Sequence, residues 1–275
     1  MIFATLIAIL ATISLPLPAA TAERPSPSTR SQAGAPVVLG APGRHVSGRV
    51  YMGTPLSEHP RLIVVIHGDA PFGNPVYQYA FARALAEGLQ DFVVLAVLRP
   101  GYSDGVGGQS DGPRGLAIGD NYTEDAAKQL NQAVSEAAAR WHARTIALIG
   151  HSGGAAMAML MLADRPGLAS SALVVSCPCD LKAWRLHMAA RQFNPLFLTP
   201  VKSLSPSDVI RQLSPKTRLY FAVGDKDAIA PPWMTQQTAK LASDRGLVVQ
   251  VKRLPGRGHD ILNTPELLNL AKTLP

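Results

Sequence analysis

Gly150-His151-Ser152-Gly153-Gly154 sets a hydroxyl among small residues, directly after a β-branched run at 145–149 and directly before a helical pattern carrying Met157 and Leu160. A serine on so sharp a strand-to-helix turn needs neighbours without bulk, because side chains there collide with strand and helix. Gly150, Gly153 and Gly154 meet that need. The chemistry this spacing serves is attack by Ser152 on an acyl carbon. A serine hydroxyl does that at neutral pH only with a base to take its proton and a third group to orient the base. A glycine-rich turn whose serine merely caps a helix has the same local pattern, so the partners must be sought elsewhere in the chain.

His259 is the only one of seven histidines beyond position 187, and Gly256-Arg257-Gly258 before it frees the backbone to carry an imidazole over a sheet edge. His45, His59 and His142 read as surface or packing residues, and His187 as part of an irregular segment. His151, inside the turn, either lines the site or is structural. For the acid, Val223-Gly224-Asp225-Lys226-Asp227 follows a strand-like run. Asp227, three residues past the turn glycine, is favoured over Asp225, which reads as a loop cap or a partner of Lys226. Asp260 adjoins His259 too closely to orient its ring and reads as a helix N-terminal residue. A tetrahedral intermediate also needs backbone N–H donors. Gly153 supplies one, and the loop His67-Gly68-Asp69-Ala70-Pro71 supplies the other through the N–H of Asp69. A carboxylate beside a developing anion is unfavourable, so the Asp69 side chain must point away or be paired.

These residues must be held by a core. With 275 residues, 47% hydrophobic and 16% charged, the chain is neither disordered nor fibrous, and two cysteines are too few for a disulfide-built scaffold. Cys177-Pro178-Cys179 allows a local disulfide or two free thiols. The apolar run at 62–66 reads as a buried strand, and 92–98, 145–149, 172–176, 219–223 and 247–251 read as further strands. Helical spacing covers 77–89, a stretch capped by Thr123 that runs to about His142, a stretch from Gly153, 232–245 and 265–272. Apolar strands alternating with helices predict an α/β fold, a mostly parallel sheet covered on both faces.

Before this domain, 1–22 contains no charged side chain, and its apolar run from Ile2 to Leu17 ends in Ala20-Thr21-Ala22, the pattern of a signal peptide cleaved after Ala22. Residues 23–44 read as a flexible leader, with folding from His45 onward, and the mature protein is expected in a periplasm or outside the cell.

His67-Gly68, then Arg99-Pro100-Gly101-Tyr102-Ser103, the Ser152 turn, Asp227 and His259 occur in the order of the alpha/beta hydrolases, and over 45–275 the chain resembles that family. The resemblance implies an α/β-hydrolase fold, a Ser152, Asp227, His259 triad, no metal and no organic cofactor. His67-Gly68-Asp69-Ala70 departs from the His-Gly-Gly-Gly of lipase-like esterases. The Arg-Pro-Gly-Tyr-Ser run is similar to one that shapes the pocket edge in esterase, peptidase and haloperoxidase-like members, which places Tyr102 there. The glycine-rich stretch 101–120 reads as a long mobile loop near the site.

A cap insertion at about 179–214 is expected to set substrate choice, with Trp184 and Phe193 among the aromatic residues available to line a pocket. From 179 to 218 seven Lys or Arg face two Asp, a charge of +5 that attracts anionic substrates or surfaces weakly, while no motif accompanies it for nucleic acid. The expected activity is hydrolysis of an ester through an acyl-enzyme on Ser152. A peptidase or amidase of the prolyl-oligopeptidase-like type and a non-catalytic binding module are the alternatives.

Overall fold

A computed structural model describes residues 34–115 and 117–274. The apolar start and its Ala20-Thr21-Ala22 site lie outside the described residues.

Eight strands form one sheet: β1 (Ala35–Leu39), β2 (Val46–Met52), β3 (Arg61–Ile66), β4 (Phe92–Val97), β5 (Thr145–His151), β6 (Ser171–Val175), β7 (Arg218–Gly224) and β8 (Val248–Leu254). Their order is β1-β2-β4-β3-β5-β6-β7-β8; β2 pairs antiparallel with β1 and β4, and from β4 to β8 every pair is parallel. The helices are α1 (Tyr77–Glu87), α2 (Glu124–Arg140), α3 (Gly153–Asp164), α4 (Leu181–Gln192), α5 (Pro206–Val209), α6 (Pro232–Asp244) and α7 (Pro265–Lys272).

β3 to β7 are buried on both faces, and period-two alternation sorts their side chains; β8, at the sheet edge, is instead largely exposed, Val248 by 54% and Val251 by 45%. Leu62, Val64 and Ile66 of β3 pack with α2 and α3, whereas Ile63 and Val65 pack with Phe81 and Leu85 of α1 and Leu267 of α7. α3 is apolar all round, and every residue from Gly153 to Ala163 is buried, because it lies between the sheet, α2 and the insertion. No helix among the described residues is long and apolar enough to cross a membrane.

The leader reading fails at its C-terminal end. Residues 35–39 form β1, in register with Val46–Val50, and only Leu39 is buried there. An edge strand is held chiefly by backbone pairing, which leaves little apolar period to read. The segment around His187 is likewise not irregular: it is α4, N-capped by the Asp180 carboxylate accepting from Ala183 N at 3.0 Å. With a 3₁₀ turn at Pro195–Leu198, α5 and a second 3₁₀ turn, α4 makes up the connection from β6 to β7. The stretch 101–120 is tied down: Asp104 Oδ1 accepts from Val106 N and Gly108 N, and Gly119 N donates to Asp69 Oδ2 at 2.8 Å. Asp260 precedes α7 by several residues rather than starting it.

Candidate active site

The sheet changes direction of growth at β3, with β4 on one side and β5 on the other. Loops leaving β3 and β5 therefore diverge and open a crevice above the strand ends, the place where open α/β sheets bind ligands. Ile66 pairs with Gly150 across it, so the two loops that sequence selected, 67–71 and 150–154, are neighbours.

Ser152 stands at the top of β5 with φ 54° and ψ −123°, a conformation that costs a non-glycine residue about 1–3 kcal/mol and persists only where its surroundings hold it. Ser152 N donates to Val175 O at 2.8 Å, and Ser152 O accepts from Ala155 N at 2.9 Å. The closeness of the turn explains its glycines. A Cβ on Gly150 would sit 2.3 Å from Gly154 O, and one on Gly153 would sit 2.3 Å from Asp69 Oδ1 and 2.7 Å from the Tyr122 hydroxyl oxygen.

His259 reaches Ser152 from the loop after β8, its Nε2 3.0 Å from Ser152 Oγ. Its Nδ1 lies 3.1 and 3.0 Å from Asp227 Oδ1 and Oδ2. The His259 side chain is 11% exposed and that of Asp227 is fully buried. Burial alone would raise the Asp227 pKa. The hydrogen bond and charge of His259, with the N–H groups of Ala230 and Ile229 donating at 2.8 and 2.9 Å, lower it below the usual carboxylate value. Three side chains far apart in sequence thus form one hydrogen-bonded chain. Asp225 is elsewhere, accepting from Gly256 N at 2.7 Å as a loop cap.

The N–H of Gly153 is the first of α3 and has no intrahelical acceptor to meet. In the facing loop, Gly68 N donates to the Tyr77 hydroxyl at 2.5 Å, leaving Asp69 N as the next donor along the chain. The Asp69 carboxylate is paired. Oδ1 accepts from Arg99 Nη1 at 2.6 Å, and Oδ2 accepts from the Tyr122 hydroxyl at 2.5 Å. Asp69 and Arg99 side chains are 3% and 2% exposed. Desolvation would lower the Arg99 pKa, but Asp69 with Tyr102 and Tyr122 raises it above its ordinary value, so the guanidinium stays charged.

A second chain, invisible in sequence, links the two loops. Tyr77 at the start of α1 accepts from Gly68 N and donates to His151 Nδ1 at 2.8 Å, while His151 Nε2–H donates to His259 O at 3.1 Å. This assigns His151 as a neutral tautomer, in keeping with burial and the neighbouring His259 pushing its pKa down to about 4. Tyr77 and His151 line a cavity of about 230 Å³ with Asp260, Leu262 and Asn263. No sequence signal marked Tyr77, which meets its partners only through the packing of α1. The network around Asp69 did leave one, a carboxylate in a loop that could not tolerate it bare.

The other expected pocket residues are elsewhere. Trp184 is 1% exposed, packed edge-on to Phe197 with Nε1 donating to Ile229 O at 2.8 Å, because its position on α4 faces the core. Phe193 is 93% exposed at the C-terminal end of α4. Tyr102 is 1% exposed, stacked edge-on to His67 and near Arg99 and Arg114, so it braces the loop from beneath. Cys177 and Cys179 are joined as a buried disulfide just after β6.

An alpha/beta hydrolase family model matches residues 63–212. Similar solved structures include Est1E from Butyrivibrio proteoclasticus, at 15% identity, TM-score 0.62, covering 87% of this chain and 94% of that one. The Pyrococcus furiosus esterase Pf2001 is similar at 16% identity, TM-score 0.65, with coverage of 90% and 92%. The Pyrococcus horikoshii acylaminoacyl peptidase is similar at 13% identity and TM-score 0.66. There 88% of this chain is covered, but the match spans only 41% of the peptidase. No curated protein matches the sequence. On the family match over residues 63–212, with the sheet order and turn geometry that accompany it, the chain belongs to the alpha/beta hydrolase family.

Proposed function

We propose that the protein is an exported serine hydrolase that cleaves esters through an acyl-enzyme on Ser152. The observation that carries this reading is the 3.0 Å approach of His259 Nε2 to Ser152 Oγ, with Asp227 behind Nδ1. In the first step Ser152 Oγ adds to the ester carbonyl as its proton passes to His259 Nε2. Asp227 holds Nδ1–H and stabilises the imidazolium without taking the proton. The carbonyl oxygen becomes an oxyanion that accepts from the N–H groups of Gly153 and Asp69. Collapse expels the alcohol, protonated by His259, and leaves an acyl ester on Ser152. Water then repeats the sequence, its proton going to His259, and releases the acid and free Ser152.

Export is supported by the uncharged apolar start ending at Ala20-Thr21-Ala22, and by the disulfide, since disulfides persist in oxidising compartments. N-terminal sequencing of protein from its native host is expected to begin at Glu23; an intact Met1 in a membrane fraction would overturn export.

The decisive experiment is labelling of the purified protein by a fluorophosphonate probe, with turnover of chromogenic esters and aminoacyl anilides side by side. Ser152→Ala is expected to keep the fold, lose the label and lose about 10⁶ in kcat. Turnover in that variant within about tenfold of the parent rejects the mechanism. Anilide turnover outrunning ester turnover moves the activity to a peptidase or amidase, and a parent without label or turnover is a binding module.

A further inference from the structure

The connection between β6 and β7 carries an apolar outer face that none of the described residues covers. On α4, Trp184 and Met188 turn inward, while Leu186 is 55% exposed. Past it, Phe193 is 93% exposed and sits in left-handed backbone (φ 50°), an unfavourable conformation for a bulky residue. In the following 3₁₀ turn Phe197 is buried, yet Leu196 and Leu198 are 68% and 60% exposed. The turn is not loose. Arg185, itself buried, donates to Leu196 O at 3.0 Å and to Thr199 O at 2.9 Å, so the apolar side chains are held outward by the structure rather than left over from disorder.

Cations frame this tip. Lys182 lies one helical turn before Leu186, and Arg191 and Lys202 are exposed on either side of Phe193 and Leu198. Of the two acids in the segment, the Asp180 carboxylate is engaged as the N-cap of α4, which leaves Asp208 against them. Phe193 and Leu196 stand out singly, while Leu186 and Leu198, with Lys182 and Asp208, border a cavity of about 390 Å³ between α4 and the turn. Isolated apolar side chains with cations at their base match the boundary between lipid headgroups and acyl chains, where the cationic heads remain among phosphates.

We propose that the tip formed by the end of α4 and the turn after it docks the protein on an anionic phospholipid surface. Phe193, Leu196 and Leu198 enter the acyl boundary, and Lys182, Arg191 and Lys202 lie on headgroup phosphates. The docked element is the one packed on the loop that holds Asp227: His187 Nε2 is 2.9 Å from Ala228 O, and Trp184 bonds Ile229 O. The docking is independent of the acyl-enzyme reading, because it uses none of Ser152, Asp227 or His259.

The test is flotation of the purified mature protein with vesicles of phosphatidylglycerol and phosphatidylcholine, and with phosphatidylcholine alone, at low and high salt. Binding is expected to the anionic vesicles and to weaken with salt. Lys182→Gln/Arg191→Gln/Lys202→Gln is expected to weaken it about a hundredfold, at roughly fivefold per cation near the surface, with turnover of a soluble ester unchanged. Phe193→Ser/Leu196→Ser/Leu198→Ser is expected to weaken it at least about tenfold, with an unchanged melting temperature as the check on folding. Equal binding to neutral and anionic vesicles, no binding to either, or parent-like binding by the triple serine variant overturns the proposal. So does a parent dimer that the serine variant converts to monomer without any vesicle binding, since the tip would then pair with a second copy.

Discussion

Asp69→Asn isolates one buried charge beside the turn that carries Ser152. In the parent the carboxylate takes Arg99 Nη1 on Oδ1, and the Tyr122 hydroxyl and Gly119 N on Oδ2, all within 2.8 Å. Arg99 Nη2 is buried with no hydrogen-bond partner among the described residues, so the guanidinium depends on Asp69 and on the Tyr102 and Tyr122 rings at 5.3 Å. An amide removes the countercharge and turns N–H₂ toward groups that are themselves donors. Breaking a buried pair in this way costs about 3–5 kcal/mol, a large share of the roughly 5–15 kcal/mol that holds a typical domain together. For a chain of this size that lowers the melting temperature by about 10 °C.

Activity should fall as well, because the carboxylate fixes the backbone that presents Asp69 N, and a displacement of about 1 Å there is worth about a hundredfold in kcat. The assay is thermal melting with ester kinetics well below the transition. Asp69→Leu/Arg99→Met provides the control: with both charges gone, most of the stability returns. Turnover does not return, since Gly119 N and the Tyr122 hydroxyl still lack their acceptor. An Asn variant that melts within about 2 °C of the parent and keeps kcat within about twofold would refute the reasoning.

Asp227→Asn should lower kcat by about 10⁴ by holding His259 in the wrong tautomer, while Asp225→Asn, at a loop cap, leaves it nearly unchanged; steady-state ester kinetics decide, and reversed effects reject the assignment. Trp184→Ala should cost about 3–5 kcal/mol in denaturant unfolding and leave the ranking of acyl chain lengths as in the parent, because the ring is core and not pocket. His67 and His151 are held neutral by burial, with pKa values of about 3 and about 4 against 6.5 when unfolded. The unfolded chain therefore binds more protons below pH 6.5, and stability should fall as pH drops, by about 2 kcal/mol for each at pH 5. Denaturant titrations at pH 7 and 5 check this, and equal stabilities at the two values would contradict it.

Strands β3 to β7 and the helices after β3, β4, β5 and β7 were legible because burial on both faces writes itself as long apolar runs, and because Thr123 and the glycines of the 150–154 turn mark where elements begin. Ser152, Asp227 and His259 could be picked out for a related reason. Each sits just past a readable strand, and a strained turn or a free loop demands particular residue types there. The edge strand β1 was missed because backbone pairing, not apolar side chains, holds it. The inward face of Trp184 and the outward face of Phe193 belong to a short helix whose direction is set by its contacts with the Asp227 loop, and nothing in its own 12 residues states that. Tyr77 and His151 are 74 positions apart, and Asp69 and Tyr122 are 53 apart. Sequence supplied their polar groups. Only the stacking of α1 and the 101–120 loop over the crevice decided which would meet, because in a dry interior each donor must find whichever acceptor the packing brings within about 3 Å.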